Sequence, residues 1–237
     1  MPAKITMPHG AIVSPENKLI VLHTPKCGGS SLLGSLTEAF GRDAIYRDYK
    51  FFKGERAALR ALIDEPVIYG HFRATKYISM QGIWVTLLRE PVDRMLSLYF
   101  NWRFSSPKPL KNKIGALRRK VRQNKISLLD FARKPTMANR MHGHYFRDFD
   151  MNRFRLIIPH NNYAAGVQRM GEMIGVPLSV MARNVSSSRS EQYEKARREF
   201  LGNEADLREL KNILAREIEF YENCMALPTA YRRKGVE

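Results

Sequence analysis

The chain has 237 residues, 44% of them hydrophobic, enough to bury a core of its own, and its two cysteines, Cys27 and Cys224, are too few for a disulfide framework and lack the paired spacing of a zinc site. Forty lysines and arginines against 23 aspartates and glutamates leave a formal net charge of +17, which implies an anionic partner. No apolar run near the N-terminus approaches the roughly 7 to 15 residues of a signal peptide or the roughly 20 of a membrane span, so a soluble chain in a reducing, cytoplasmic compartment is expected.

Four short runs rich in β-branched residues read as buried strands: KLIVL (18–22), VIYG (67–70), IWVTLL (83–88) and RLIIP (155–159). They lack polar alternation, as strands of a parallel sheet covered on both faces do. Helical segments are expected at 31–40, about 55–63 and 91–104, and Ser127 with Asp130 forms a capping arrangement for a short helix that Pro135 stops. Tyr163, Val167, Met170 and Ile174 share a helix face within 161–175. Leu207, Leu210, Leu214, Ile218 and Tyr221 trace one face of a single helix over about 204–224. The expected fold is α/β: one domain over residues 1–237, with its core at about 18–224. It is a three-layer, P-loop-like parallel sheet flanked by helices, with a helical C-terminal part.

The stretch LIVLHTPKCGGSSLLGSL (19–36) passes from strand to helix through a loop holding Lys26 and a glycine pair. Amides of such a loop point the same way as the free amides of the helix's first turn, which makes an anion site. Gly28 and Gly29 allow close approach of a phosphate, Ser30 and Ser31 can cap the helix, and Lys26 adds a full charge. The nucleotide-binding pattern G-x-x-x-x-G-K-S/T does not match, because here the lysine precedes the glycines. None of the four expected strands ends in the aspartate that a Mg²⁺-dependent kinase uses, and IWVTLL runs into Arg89. A phosphate-like group handled without Mg²⁺ fits better, and a sulfuryl group qualifies.

HTPKCGGSSL (23–32) resembles the HxPKTGGTSL loop of the sulfotransferases related to heparan sulfate 2-O-sulfotransferase, and TLLREPVDRMLSLYF (86–100) resembles that family's R-x-P-x-x-R-x-x-S motif. YGHF (69–72) is similar to its G-H-V/F segment. The resemblance implies a donor, 3′-phosphoadenosine 5′-phosphosulfate, with adenosine 3′,5′-bisphosphate as product and no metal. The loop Lys26, Cys27, Gly28, Gly29, Ser30 and Ser31 would take the donor's 5′ end, Arg89 and Ser97 its 3′-phosphate, and His71 would be the base. Cys27 departs from the family's usual threonine, so a hydroxyl contact would be lost and an amide contact kept.

Each residue has a plainer alternative: a satisfied structural histidine for His71, a pairing with Glu90 or Asp93 for Arg89, a neutral helix serine for Ser97. His142 and His144 read as a surface loop and not a metal site, Trp102 as core or rim, and 184–190 as a polar loop that closes over the nucleotide. From Arg103 to Lys125 the chain carries nine basic residues and no acidic one. That tract is either a solvated helix face or a surface for an anionic acceptor such as an acidic glycan, with a peripheral membrane contact as a further alternative. Two rival readings are a nucleotide-dependent kinase with a degenerate P-loop and a basic nucleic-acid-binding protein, nucleic acid being the disfavoured partner.

Overall fold

In a computed structural model of the chain, residues 7–49, 63–104, 113–181 and 191–231 are described. The strands are β1 Lys18–His23, β2 Ile45–Asp48, β3 Val67–Gly70, β4 Gly82–Leu88 and β5 Phe154–Pro159, and they form one sheet in the order β2-β3-β1-β4-β5. Every pairing is parallel, with Ile20 opposite both Ile68 and Trp84. The helices are α1 Gly29–Phe40, α2 Pro91–Phe104, α3 Lys113–Arg122, α4 Leu128–Ala132, α5 Pro135–Ala138, α6 Tyr163–Ile174, α7 Glu191–Gly202, α8 Glu204–Ile213 and α9 Ala215–Ala226. A single π turn occupies Met141–Tyr145.

All six residues of β1 are buried, the outcome expected of an apolar run without alternation. Leu19 and Val21 pack with Leu32 and Leu36 of α1 and Val167 and Met170 of α6. Ile20 and Leu22 face the other way, onto Phe72, Tyr77, Trp84, Phe146 and Phe154. Each such side chain contributes about 1.5–3 kcal/mol by leaving water, so both helical layers are bound to this central strand. A third cluster joins Met95, Leu96 and Tyr99 of α2 to Phe131, Leu210 and Leu214.

Several expectations from the sequence are corrected. A fifth strand, β2, ends in Asp48, so it is not true that no strand ends in an aspartate. That carboxylate lies on an edge strand, takes hydrogen bonds from Lys76 Nζ at 2.5 Å and Tyr77 Oη at 2.7 Å, and does not line the cavity described below. α1 begins at Gly29 with Gly28 as its cap, so Ser30 and Ser31 lie inside the first turn and do not cap it; Gly28 takes that place because its φ of 90° suits glycine. Ser127 caps α4 as expected, accepting from the Asp130 amide, and α4 ends at Ala132 ahead of Pro135, which also opens α5. Lys134 before it is extended, at φ −62° and ψ 126°, as the residue preceding a proline must be, so the same proline keeps the two helices apart. The C-terminal helix bends at Leu214 into α8 and α9 while keeping its hydrogen bonds through the bend. His142 and His144 sit on the π turn and not in a loop. The segments expected as a helix at about 55–63 and as a closing loop at 184–190 fall almost wholly outside the described residues. No helix among the described residues is long and apolar enough to cross a membrane.

Candidate active site

Because all five strands run the same way, the residues that follow β1, β3, β4 and β5 collect along one edge of the sheet, where open α/β sheets place their ligands. A cavity of about 890 Å³ opens there, within the range of sites that take a drug-sized or nucleotide-sized ligand. Lys26, Gly28, Gly29, Ser30, Ser31, His71, Arg89 and Ser97 all line it. Of the residues singled out from the sequence only Cys27 does not: its side chain is buried in the core, its Sγ lies 2.9 Å from Thr24 Oγ1, and burial pushes its thiol pKa up.

The loop is held in an uncommon shape. Lys26 has a φ of 74°, the left-handed region that a lysine adopts at a cost of about 1 kcal/mol or more, and Gly28 follows at 90°. Gly29 is packed so tightly on His23 that a Cβ there would lie 2.1 Å from the imidazole. The Tyr69 hydroxyl donates to the Gly29 carbonyl at 2.5 Å and anchors this turn to β3. The Ser31 and Leu32 amides donate to the Gly28 carbonyl at 3.1 and 3.3 Å, so the helix starts at the cavity wall, and its N-terminal dipole end lies there with Lys26.

Arg89, 6% exposed, leaves the end of β4 and joins the two motifs directly, since its Nη1 donates to the Lys26 carbonyl at 3.1 Å. Its Nε donates to Asp93 at 2.7 Å, so the pairing with Asp93 does exist, and it fixes the guanidinium's orientation while Nη2 carries no protein partner among the described residues. Arg197 of α7 donates to the other oxygen of Asp93 at 2.8 Å and also lines the cavity. Burial works against the Asp93 charge, but Arg89 and Arg197 outweigh it and hold the carboxyl below its usual range. Ser97, two turns into α2 and 1% exposed, has a hydroxyl without a hydrogen-bond partner among the described residues. An unsatisfied buried hydroxyl costs about 1–3 kcal/mol unless something binds it.

His71 follows β3, its amide donating to the Asp48 carbonyl at 2.8 Å. Its Nδ1 lies 2.6 Å from the His23 carbonyl, and a carbonyl can only accept, so Nδ1 carries the proton and Nε2 is left as the basic nitrogen. Burial lowers its pKa, with Arg140 acting the same way and the His23 carbonyl opposing. The His23 ring lies tilted against it with centroids 4.1 Å apart, and against Tyr69 at 4.8 Å; burial drives the His23 pKa well below the usual value, His71 adds to that, and the Thr24 backbone opposes it.

Sequence reading did not assign to the site His160, Asn161 and Tyr163, which follow β5, or Glu194 and Arg197, and it named Asp93 only as a pairing partner of Arg89; all of them line the cavity. Tyr163 packs against the core on the helix face it shares with Val167, Met170 and Ile174 and also borders the cavity beside Gly28, and burial pushes its phenol up to about 12 against the opposing Ser35 and Ser31. The basic tract lies elsewhere. Arg119, Lys120, Arg122 and Lys125 stand exposed, Arg118 lies over the Trp102 ring at 5.8 Å, and no described residue of the tract lines the cavity. Among the described residues no group of three or more His, Cys, Asp or Glu is arranged to hold a metal ion.

No protein-family model and no curated protein matches the chain. Among solved structures it is similar to a sulfotransferase from Alicyclobacillus acidocaldarius, with 15% sequence identity, a TM-score of 0.39, and coverage of 87% of this chain and 98% of that one. No match places the chain in the family that its motifs resemble.

Proposed function

We propose that the chain is a sulfotransferase that moves a sulfuryl group from 3′-phosphoadenosine 5′-phosphosulfate to an acceptor hydroxyl, on a carbohydrate. One observation supports the reading: a single cavity gathers a lysine-bearing glycine loop, a fixed arginine and a buried serine hydroxyl without a partner among the described residues. A donor with anionic groups at both ends fits such a set. The α1 amides and Lys26 would take the 5′ end, Arg89 and Ser97 the 3′-phosphate.

In the reaction the acceptor oxygen attacks sulfur in line with the bond to the phosphate, that S–O bond breaks, and adenosine 3′,5′-bisphosphate leaves. His71 takes the hydroxyl proton on Nε2, the nitrogen that the His23 carbonyl leaves free. Lys26 and the loop amides stabilise the charge that gathers on the leaving oxygen, an effect commonly worth about 10²- to 10³-fold per donor. Because burial lowers the His71 pKa, the neutral base persists to a lower pH than an exposed histidine would allow.

Calorimetry with adenosine 3′,5′-bisphosphate, AMP and ATP tests the assignment. Wild type should prefer the bisphosphate, and Arg89→Ala or Ser97→Ala should erase that preference, by about 10- to 100-fold for the charge-assisted contacts of Arg89. His71→Ala should lose turnover by about 10²- to 10⁴-fold and keep nucleotide affinity. Equal binding of all three nucleotides by wild type refutes the reading. Binding to nucleic acid that falls steeply with salt, with no preference for the bisphosphate, would favour the nucleic-acid alternative.

A further inference from the structure

Asp93 lies in the first turn of α2, one turn before Ser97, so the two share a face of that helix, and both line the cavity. Its carboxylate is divided between two guanidiniums: one oxygen accepts from Arg89 Nε at 2.7 Å and the other from Arg197 Nη2 at 2.8 Å. Arg89 comes from the end of β4 and Arg197 from α7, and both line the same cavity. Packing sets Arg197 in this place as well as its ion pair does. Tyr193, one turn earlier on α7, is buried and lies edge-on to Phe100 with ring centroids 5.9 Å apart and to Phe104 at 6.5 Å. Phe100 stands two turns beyond Asp93, so α7 runs back along α2, with Tyr193 against the later turns and Arg197 against the first.

An arginine and an aspartate paired on a surface are common and worth little. This pair is different, because Asp93 already has a partner in Arg89 and needs no second cation to neutralise it. The contact with Asp93 also engages only Nη2 of Arg197, one corner of a fork that carries five N–H donors. Glu194, one turn before Arg197, lines the cavity too, so that two carboxylates and two guanidiniums balance charge for charge at this wall. An anion that binds here is therefore held by directed donors, which the planar fork of an arginine supplies, and not by an excess of positive charge.

We infer that Arg197 binds the donor's 3′-phosphate, so that two guanidiniums oriented by one carboxylate grip that group together with the Ser97 hydroxyl. The inference deepens the reading proposed above and rests on it: it adds a group from outside both motifs to the end of the donor assigned to Arg89 and Ser97. The role of Arg197 is selectivity for a nucleotide phosphorylated at the 3′ position, and it takes no part in the transfer of the proton or the sulfuryl group.

Calorimetry with adenosine 3′,5′-bisphosphate, adenosine 3′-monophosphate and AMP, whose phosphate is at the 5′ end, tests the inference, with folding checked by thermal unfolding. Arg197→Ala should weaken both 3′-phosphorylated ligands about tenfold, the lower end for a charge-assisted contact because the side chain is 29% exposed, and should leave AMP binding unchanged. Arg197→Gln keeps a donor for Asp93 but not the charge or the fork, and should show the same selective loss; its result decides the matter should Arg197→Ala not fold. Unchanged affinity for the 3′-phosphorylated ligands in the variants overturns the inference. So does an equal loss on all three ligands, which marks a structural role, or a loss in Arg197→Ala that Arg197→Gln restores, which marks Arg197 as a support for Asp93 alone. Failure of wild type to bind adenosine 3′-monophosphate or the bisphosphate overturns it as well. If the selective loss is seen but wild type does not prefer the bisphosphate to AMP, the donor assignment falls and the phosphate contact of Arg197 stands. If wild type prefers the bisphosphate and both variants keep that preference in full, the donor assignment stands and the inference falls.

Discussion

Replacing Gly29 with alanine puts a methyl carbon 2.1 Å from His23 Cε1 and Nδ1 and 2.7 Å from Cγ, well inside any contact that real side chains make. Two effects oppose each other. Alanine in a helix gains up to about 1 kcal/mol over glycine, and less in a first turn such as this. Against it stands a clash with a ring that cannot swing away, since His23 is 5% exposed and packed against the Tyr69 and His71 rings. Overpacking of a buried site costs about 1–3 kcal/mol, and the shortness of this contact places it at the upper end, for a net loss of about 2 kcal/mol. For a chain of this length that is a fall in melting temperature of roughly 4–8 °C. Gly202, where an added Cβ meets nothing within 4 Å, is the control, and Gly202→Ala should be neutral or slightly stabilising. Thermal unfolding of the two variants beside wild type reads the difference. A Gly29→Ala protein that melts with wild type would show that the His23 ring is not held where the structure has it, and the account of the loop would go with it.

Acid should destabilise the fold through its buried histidines. His23 and His71 are held below their ordinary pKa by burial, so the unfolded chain takes up protons that the folded chain refuses; stability is full above about pH 6.5 and falls as the pH drops through that value. Glu217, pushed up by burial, carries the opposite sign and acts lower, in the carboxylate range. A His23→Asn variant should lose part of the slope of melting temperature against pH, and an unchanged slope would count against buried, neutral His23. Ser127→Ala removes the acceptor that caps α4 at the Asp130 amide and should cost about 1 kcal/mol in denaturant unfolding; no loss would mean that the cap is idle. Tyr77→Phe withdraws a 2.7 Å donor from the buried Asp48 carboxylate and should cost about 1.5–3 kcal/mol by the same measurement, with no effect on nucleotide binding because Asp48 lies outside the cavity.

What could be read from the sequence followed from local physics. KLIVL is apolar without alternation, so it could be placed inside a two-sided sheet, and Pro91 marked the start of α2 because its fixed φ suits a first turn. IYRD escaped because β2 is four residues at a sheet edge, with Arg47 exposed between buried Ile45 and Asp48, a pattern too short to separate from a turn. The front of the cavity, from Lys26 to Ser97, lies on contiguous motifs. Its far wall does not: Tyr163 and Arg197 arrive from well over a hundred residues downstream of Lys26, and no local spacing announces that β5 will sit next to β4 or that α7 will reach Asp93. Arg94 stands three residues before Ser97 on α2. Its burial against Glu217 is a tertiary fact, which no local spacing announces.

The atom that orients the His71 ring belongs to the main chain, and main-chain oxygen survives any exchange of the residue that bears it. Scanning position 23 through all side chains would therefore leave the protonated nitrogen of His71 unchanged, so long as the strand still ends in the same place. The choice of tautomer is thus a property of topology, safe from point mutation and open to loss only through a slip in strand register.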